Sequence, residues 1–447
     1  MSNKKYSPVR RAAGTGAVAV CTMLVAAMSP STARADDPPP QVAIDSPAPP
    51  STDWMHQAGM TGDWGGLRTK LTKEGIDIFS NYQVQSAAIV NGGAKTGTST
   101  NNQVILGANF DLQKLMSIDG GTFTFAVSDR YGSNASLLAG TRVTIMSNYG
   151  EGENFRLANM SFKQSLLKGR LSYQIGYFPS AAEFDYSPIL CSFLNQGFCG
   201  HPNSLAADSS GFQNPPGAQL GARITGFVTP QVYLKAAVFD VNPTRFTDPD
   251  QGFRLDRRGK TGEIYLSELG WNASLGPQNL VGHYKIGGYY DTSKAPDVVN
   301  AKIMHTGRYS GWISLEQMVW GLGPQASRGL VLFGNFTEGN RGTSQIASYD
   351  SLGFVFLGPI ASRADDVLSL GWAKSNLNKR KLDAEIEKNP NFDYYGAEKY
   401  IDLSYKIQIT PWMFLTPDFQ YLMHPGAFTA KKYPNASVVG GEISFKF

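Results

Sequence analysis

Val438-Val439-Gly440-Gly441-Glu442-Ile443-Ser444-Phe445-Lys446-Phe447 closes the chain. Val439, Gly441, Ile443, Phe445 and Phe447 fall on one face and Gly440, Glu442, Ser444 and Lys446 on the other. A period of two is a strand. The apolar face ends on an aromatic at the terminus, as the closing strands of membrane barrels do. The segment from Tyr400 to Ile409 repeats the pattern: Ile401, Leu403, Tyr405, Ile407 and Ile409 alternate with Tyr400, Asp402, Ser404, Lys406 and Gln408. After a short turn at Thr410-Pro411-Trp412, Leu415, Phe419, Tyr421 and Met423 alternate with Phe414, Thr416, Asp418 and Gln420. In a soluble sandwich the apolar faces turn inward; in a barrel in lipid they turn outward. Alternation is the same in both, so the rest of the chain decides.

At the other end, Lys4, Lys5, Arg10 and Arg11 precede an apolar run from Ala12 to Met28, and Ala33-Arg34-Ala35 offers a small-x-small cleavage site before Asp36. Residues 1–35 therefore read as a secretory signal peptide. A spanning helix needs about 20 strongly apolar residues, and this run is interrupted by Gly14, Thr15, Gly16 and Thr22. The signal holds five of the forty basic residues and none of the 36 acidic ones, which leaves 35 against 36, a net charge of −1. No basic stripe remains to suggest a nucleic-acid partner. No later stretch reaches the length of a spanning helix, so a membrane protein with 48 glycines, 20 tyrosines and 25 phenylalanines has to be a barrel.

Residues 36–60 are an extended, proline-rich lead-in, with Pro38 to Pro40, Pro47, Pro49 and Pro50. Residues 61–75 follow as a short helical motif, with Asp63 as the cap of a helix from about Trp64 to Lys73 and Gly75 as its stop. From there on, 76–447 reads as one all-β domain, an antiparallel transmembrane barrel. Ile76, Ile78, Tyr82 and Val84 alternate with Asp77, Phe79, Asn81, Gln83 and Gln85, and similar ladders recur through Phe123 to Arg130, Leu171 to Tyr177 and Gln219 to Val228. The count comes to about sixteen strands, roughly 23 residues for each strand and its connection. A barrel of that size encloses an aqueous lumen. The segments Phe155 to Phe162, Val232 to Asp240, Ile264 to Trp271 and Gly329 to Phe336 show no clear face.

Cys21 leaves with the signal, and Cys191 and Cys199 remain as an exported pair in one loop, which reads as a disulfide. Seven intervening residues fit neither a C-x-x-C redox pair nor a zinc knuckle. The five histidines are scattered, and no H-E-x-x-H or G-x-S-x-G appears. The chain thus reads as a non-enzyme without cofactor or metal. Its polar face is rich in Gln, Asn, Ser, Thr and Gly with charges of both signs, a lining suited to neutral polyhydroxy solutes.

Thr61-Gly62-Asp63-Trp64-Gly65-Gly66-Leu67-Arg68 resembles the leading motif of the carbohydrate-selective porins, the OprB-like family. Ser128-Asp129-Arg130-Tyr131-Gly132, the Cys191/Cys199 loop and the closing Phe447 support the resemblance. The chain departs from it in lacking a tryptophan near Pro215-Pro216-Gly217. The resemblance implies passive sugar diffusion across the bacterial outer membrane, contact with outer-membrane lipid, and assembly by the outer-membrane machinery through Phe447. It also implies a charged pore constriction, to which Arg130 belongs by alternation, with Glu153 facing it from the next strand. Arg223, Trp312 and Glu316 are further lumen candidates. A general or differently selective porin is the alternative, and the oligomeric state stays open between monomer and homo-oligomer.

Overall fold

In the computed structural model, which describes residues 53–142, 144–148, 155–199, 203–246 and 252–447, sixteen strands form one closed antiparallel barrel. They are β1 (Ile76–Asn91), β2 (Gly97–Asp111), β3 (Gly121–Gly132), β4 (Arg156–Leu166), β5 (Leu171–Phe178), β6 (Gln219–Phe227), β7 (Val232–Val241) and β8 (Gly262–Leu275). The second half comprises β9 (Leu280–Pro296), β10 (Met304–Leu322), β11 (Arg328–Glu338), β12 (Ile346–Leu357), β13 (Val367–Leu377), β14 (Ala397–Thr410), β15 (Met413–Met423) and β16 (Ala436–Lys446). Each strand pairs with its sequence neighbours, and β1 closes on β16 with Tyr82 opposite Phe445 and Val84 opposite Ile443. Short turns at 167–170, 228–231, 276–279 and 411–412 occupy the end where the barrel begins and finishes; long loops such as 133–155, 179–218 and 378–396 occupy the other. Short turns mark the periplasmic end of such barrels.

The outer wall is apolar. Leu106, Ile224, Leu269, Ile313, Leu352, Leu403 and Val439 all stand exposed, which only a lipid environment tolerates over so large a band. Near the short turns, aromatics gather in pairs: Trp271 with Tyr284 at 5.3 Å, Trp320 with Phe356 at 5.7 Å, and Phe110 with Phe123 at 6.1 Å. These form the interfacial girdle expected where amphipathic rings meet headgroups.

The segment ahead of β1 clasps the seam. The helix begins at Leu67 rather than at Trp64, since Gly65 and Gly66 adopt φ of 68° and 95° and interrupt it; it runs to Glu74 and stops at Gly75 (φ 99°) as expected. Asp63 still serves its start, accepting the Thr69 amide at 2.8 Å. Arg68 then reaches across the seam, donating to the carbonyl of Phe447 at 2.8 Å and to that of Ile78 at 3.2 Å. Met60 N–H donates to Lys446 O at 2.8 Å, and Trp54 lies against Trp412 with ring centroids 4.4 Å apart.

The strands whose faces the sequence left unassigned now have a reason. β7, β8 and β11 turn Tyr233, Phe239, Ile264, Leu266, Val331 and Phe333 into the lumen, all of them buried. With apolar side chains on both faces, no alternation is visible. In β4 the register slips between Ala126–Asn159 and Val127–Leu157, so its period changes midway.

A charge on the outer wall should be costly. Leu403→Arg, halfway up β14, is expected to lower folding stability in bilayers by about 2–4 kcal/mol, whereas Thr124→Ser on the lumen face of β3 should change it by less than about 0.5 kcal/mol. Equilibrium refolding from urea into lipid vesicles measures both; equal losses would contradict the assignment of faces.

Candidate functional site

The lumen is narrowed by two loops folded into it. The first, in its described residues 179–199 and 203–218, lies along the inner wall and is fixed at two places. At one, Phe184, Leu205 and Phe212 pack against Phe239, Ile264 and Trp312 of the wall. Around this contact Glu268 accepts the Asp185 amide at 2.7 Å and the Trp312 indole N–H at 3.1 Å, while Asn335 donates to both oxygens of Asp185 at 2.8 and 3.0 Å. Arg223 pairs with Glu183 at 3.0 Å. Burial pushes the Asp185 carboxyl up to about 7.

At the other place, the Cys191–Cys199 disulfide closes a small lobe. Its Phe193 and Phe198 stack at 4.4 Å and meet Phe333 edge-on. Asn195 donates its amide to Asp402 at 3.1 Å and its side-chain nitrogen to Gln420 at 2.9 Å. Gly197 packs so closely that a Cβ would stand 2.1 Å from the Tyr400 hydroxyl, so any side chain there would displace the buried tyrosines. The disulfide therefore shapes a lobe pressed onto the wall and touches no barrel seam.

The second loop, between β3 and β4, meets the first in the lumen. Ser147 N–H donates to Leu194 O at 2.8 Å and Gln196 N–H to Thr144 O at 3.0 Å, a short backbone ladder joining the loops. Asn148 donates from its amide to Gln85 at 2.8 Å and from its side chain to Gln83 at 3.1 Å.

Arg130 sits on the opposite wall, on the lumen face of β3, as alternation required. Its Nε donates to the Gln103 carbonyl oxygen, and its Nη2 reaches the carbonyl of Pro215, on the first loop, at 3.3 Å. Gln103 donates to Gln83 at 3.0 Å, Gln83 to Glu442 at 3.1 Å, and Gln85 to the second Glu442 oxygen. The result is a polar ladder from β3 across β2 and β1 to β16, with Arg130, Gln83 and Glu442 half-exposed to the lumen. The carbonyl of Pro215 occupies the region where the sequence lacks the family's tryptophan.

Glu153 lies outside the described residues, so only Arg130 of the expected pair is placed. Arg223, Trp312 and Glu316 do face inward, but at 5%, 2% and 4% exposure they lie beneath the first loop and line no open path. Glu442 was missed as a site residue. Its signal was present: it is the one acidic side chain on the polar face of the closing strand, directly across the seam from Gln85.

Residues 95–447 match the family model of the carbohydrate-selective porins, OprB family; the match starts beyond the leading motif at 61–68. Porin B of Pseudomonas aeruginosa is 30% identical over 430 residues, covering 89% of this chain and 92% of that protein. A putative porin, QuiX, of Acinetobacter baylyi is 29% identical over 412 residues, covering 87% and 93%. A solved structure of Pseudomonas putida OprB at high pH superimposes with a TM-score of 0.80 at 28% identity, covering 88% of this chain and 99% of that one. With the closed barrel and the loop-narrowed lumen, these matches show that the chain belongs to the OprB family of carbohydrate-selective porins, outer-membrane channels rather than enzymes.

Proposed function

We propose that sugars cross the outer membrane passively through this lumen and are selected at the ladder of Arg130, Gln103, Gln83 and Glu442. The observation that carries this reading is the ladder itself, with Arg130, Gln83 and Glu442 half-exposed to the lumen and both loops touching it, through Pro215 and Asn148. A guanidinium offers fixed donors, a carboxylate only acceptors, and an amide both. Together they match the hydroxyls of a monosaccharide and replace part of its hydration shell at the narrowing. Binding has to stay weak, because the solute must leave. Glu153 belongs to the same connection as Asn148, which is docked on Gln83 and Gln85, and in this reading its carboxylate faces Arg130.

The remaining parts follow from the same reading. Residues 1–35 act as a cleaved export signal, 36–60 as the lead-in, 61–75 as the clasp and 76–447 as the pore in the outer membrane. The apolar wall meets outer-membrane lipid, and the assembly machinery reads Phe447 before Arg68 takes its carbonyl. A homo-oligomer would pack through the same apolar wall.

Arg130→Ala should enlarge single-channel conductance and weaken block by glucose roughly three- to tenfold, the loss expected for one hydrogen bond of ordinary net strength, with assembly unchanged. Planar-bilayer recording reads all three; unchanged conductance and block would remove Arg130 from the constriction. Liposomes that admit sugars no faster than other neutral solutes of their size would favour a general porin.

The seat of the first loop should also titrate. A carboxyl raised by burial stays protonated in the folded loop between its ordinary range near 4 and about 7, so docking weakens as pH rises through that window and is flat above it. Conductance is expected to rise from pH 5 to pH 8, and Asp185→Asn to abolish the Asp185 part of that rise. A pH profile identical in the variant would show that another group governs it.

A further inference from the structure

On the periplasmic side of the ladder, the lumen face of β1 and β2 turns from polar to apolar. Phe79 stands four residues before Gln83 on the same face of β1, opposite Gly107. Ile105, opposite Asn81, fills the interval on β2 between Gly107 and Gln103. At about 3.3 Å per residue, the step from Gln83 to Phe79 is about 13 Å. Gly107 decides how the ring lies: a Cβ there would stand 2.4 Å from Phe79 Cζ and 2.8 Å from its Cε2. The ring therefore leans across the strand pair and covers the glycine, which is buried, while Phe79 itself stays half-exposed. A ring laid over a cross-strand glycine takes the place of the missing side chain. Here it also turns a flat apolar surface to the water of the pore.

Phe414, another half-buried aromatic on this part of the lumen face, has Lys406 Nζ over its ring at 4.1 Å. Among the described residues, no ring or cation stacks on Phe79. An open aromatic face in a water-filled passage favours flat, weakly hydrated groups, which gain by leaving water for it. A single sugar ring held at Gln83 does not span the step. A solute that reaches from the ladder to Phe79 carries hydroxyls at one end and a flat apolar group at the other.

We infer that the solute path has a second contact at Phe79, and that the channel favours glycosides bearing an aryl group over sugars without one. This rests on the sugar reading of the ladder, and the test separates the two. The mature protein is reconstituted in planar bilayers, and block by phenyl β-glucoside, methyl β-glucoside and glucose is compared.

Phenyl β-glucoside should block at roughly three- to tenfold lower concentration than methyl β-glucoside, the ratio expected of one aromatic pair. Phe79→Leu should bring the two glucosides together, Phe79→Tyr should keep them apart, and Arg130→Ala should weaken block by both. A purely structural role for the ring would lower the yield of assembled barrel and leave the ratio where it was. Equal block by the two glucosides in the unaltered protein, or a ratio that survives Phe79→Leu, overturns the inference; the first comparison decides even where the variant does not assemble. If glucose and methyl β-glucoside block and the phenyl group adds nothing, the sugar reading stands without the second contact. If phenyl β-glucoside blocks through Phe79 while the other two do not block at all, the sugar reading falls and the aromatic contact stands.

Discussion

A peptide group left unpaired in hydrocarbon costs several kcal/mol, and everything in this molecule is subordinate to that cost. A sheet can satisfy it only by closing, so the fold depends on the meeting of its first and last strands. The seam is paired from Asn81 with Lys446 to Asn91 with Ser437. It is then held from beneath by Arg68, whose guanidinium joins the carbonyls of Ile78 and Phe447, one from each side of the closure. A charge-assisted contact at that spot secures the weakest place in the ring, since β1 and β16 are the paired strands that do not follow one another in the chain.

Closure creates two solvents for one sheet, lipid outside and water inside, and the strands answer with apolar and polar faces. The first loop adds a third environment. Where it covers the inner wall, the lumen face becomes a protein interior, and Phe239, Ile264, Trp312 and Phe333 are buried there as in any core. Two carboxylates in that region are buried with it and accept from loop amides: Asp402 from Asn195 and Glu268 from Asp185. Buried charges without such partners would destabilise the wall strongly. Loop and wall thus depend on each other, and the remaining crescent of open lumen has a composition different from the sheet as a whole.

In the reading proposed above, that crescent would give the channel selectivity without a deep binding site. Gln103, Gln83 and Glu442 are positioned by rigid strands, at directly opposed register positions or one strand over, and are linked to each other before any solute arrives. A preorganised row loses little freedom when a sugar exchanges water for it. The contacts between 144–147 and 194–196 join the two loops, and Asn148 ties them to that row through Gln83 and Gln85.

The sequence by itself determined the barrel, its strand number and the orientation of strands such as β14 to β16, because a period of two against a single apolar solvent is written residue by residue in Ile401, Leu403, Tyr405 and their neighbours. It also placed Arg130 on the lumen face and paired Cys191 with Cys199, both of which need only local information. It did not reveal that Arg223, Trp312 and Glu316 lie under a loop, that β7, β8 and β11 carry apolar residues inward, or that Glu442 completes a ladder with Gln83. Those facts depend on contacts between segments as distant as Asn195 and Gln420, or Gln83 and Glu442. Alternation specifies which face a side chain takes; only the folded loop decides whether that face meets water.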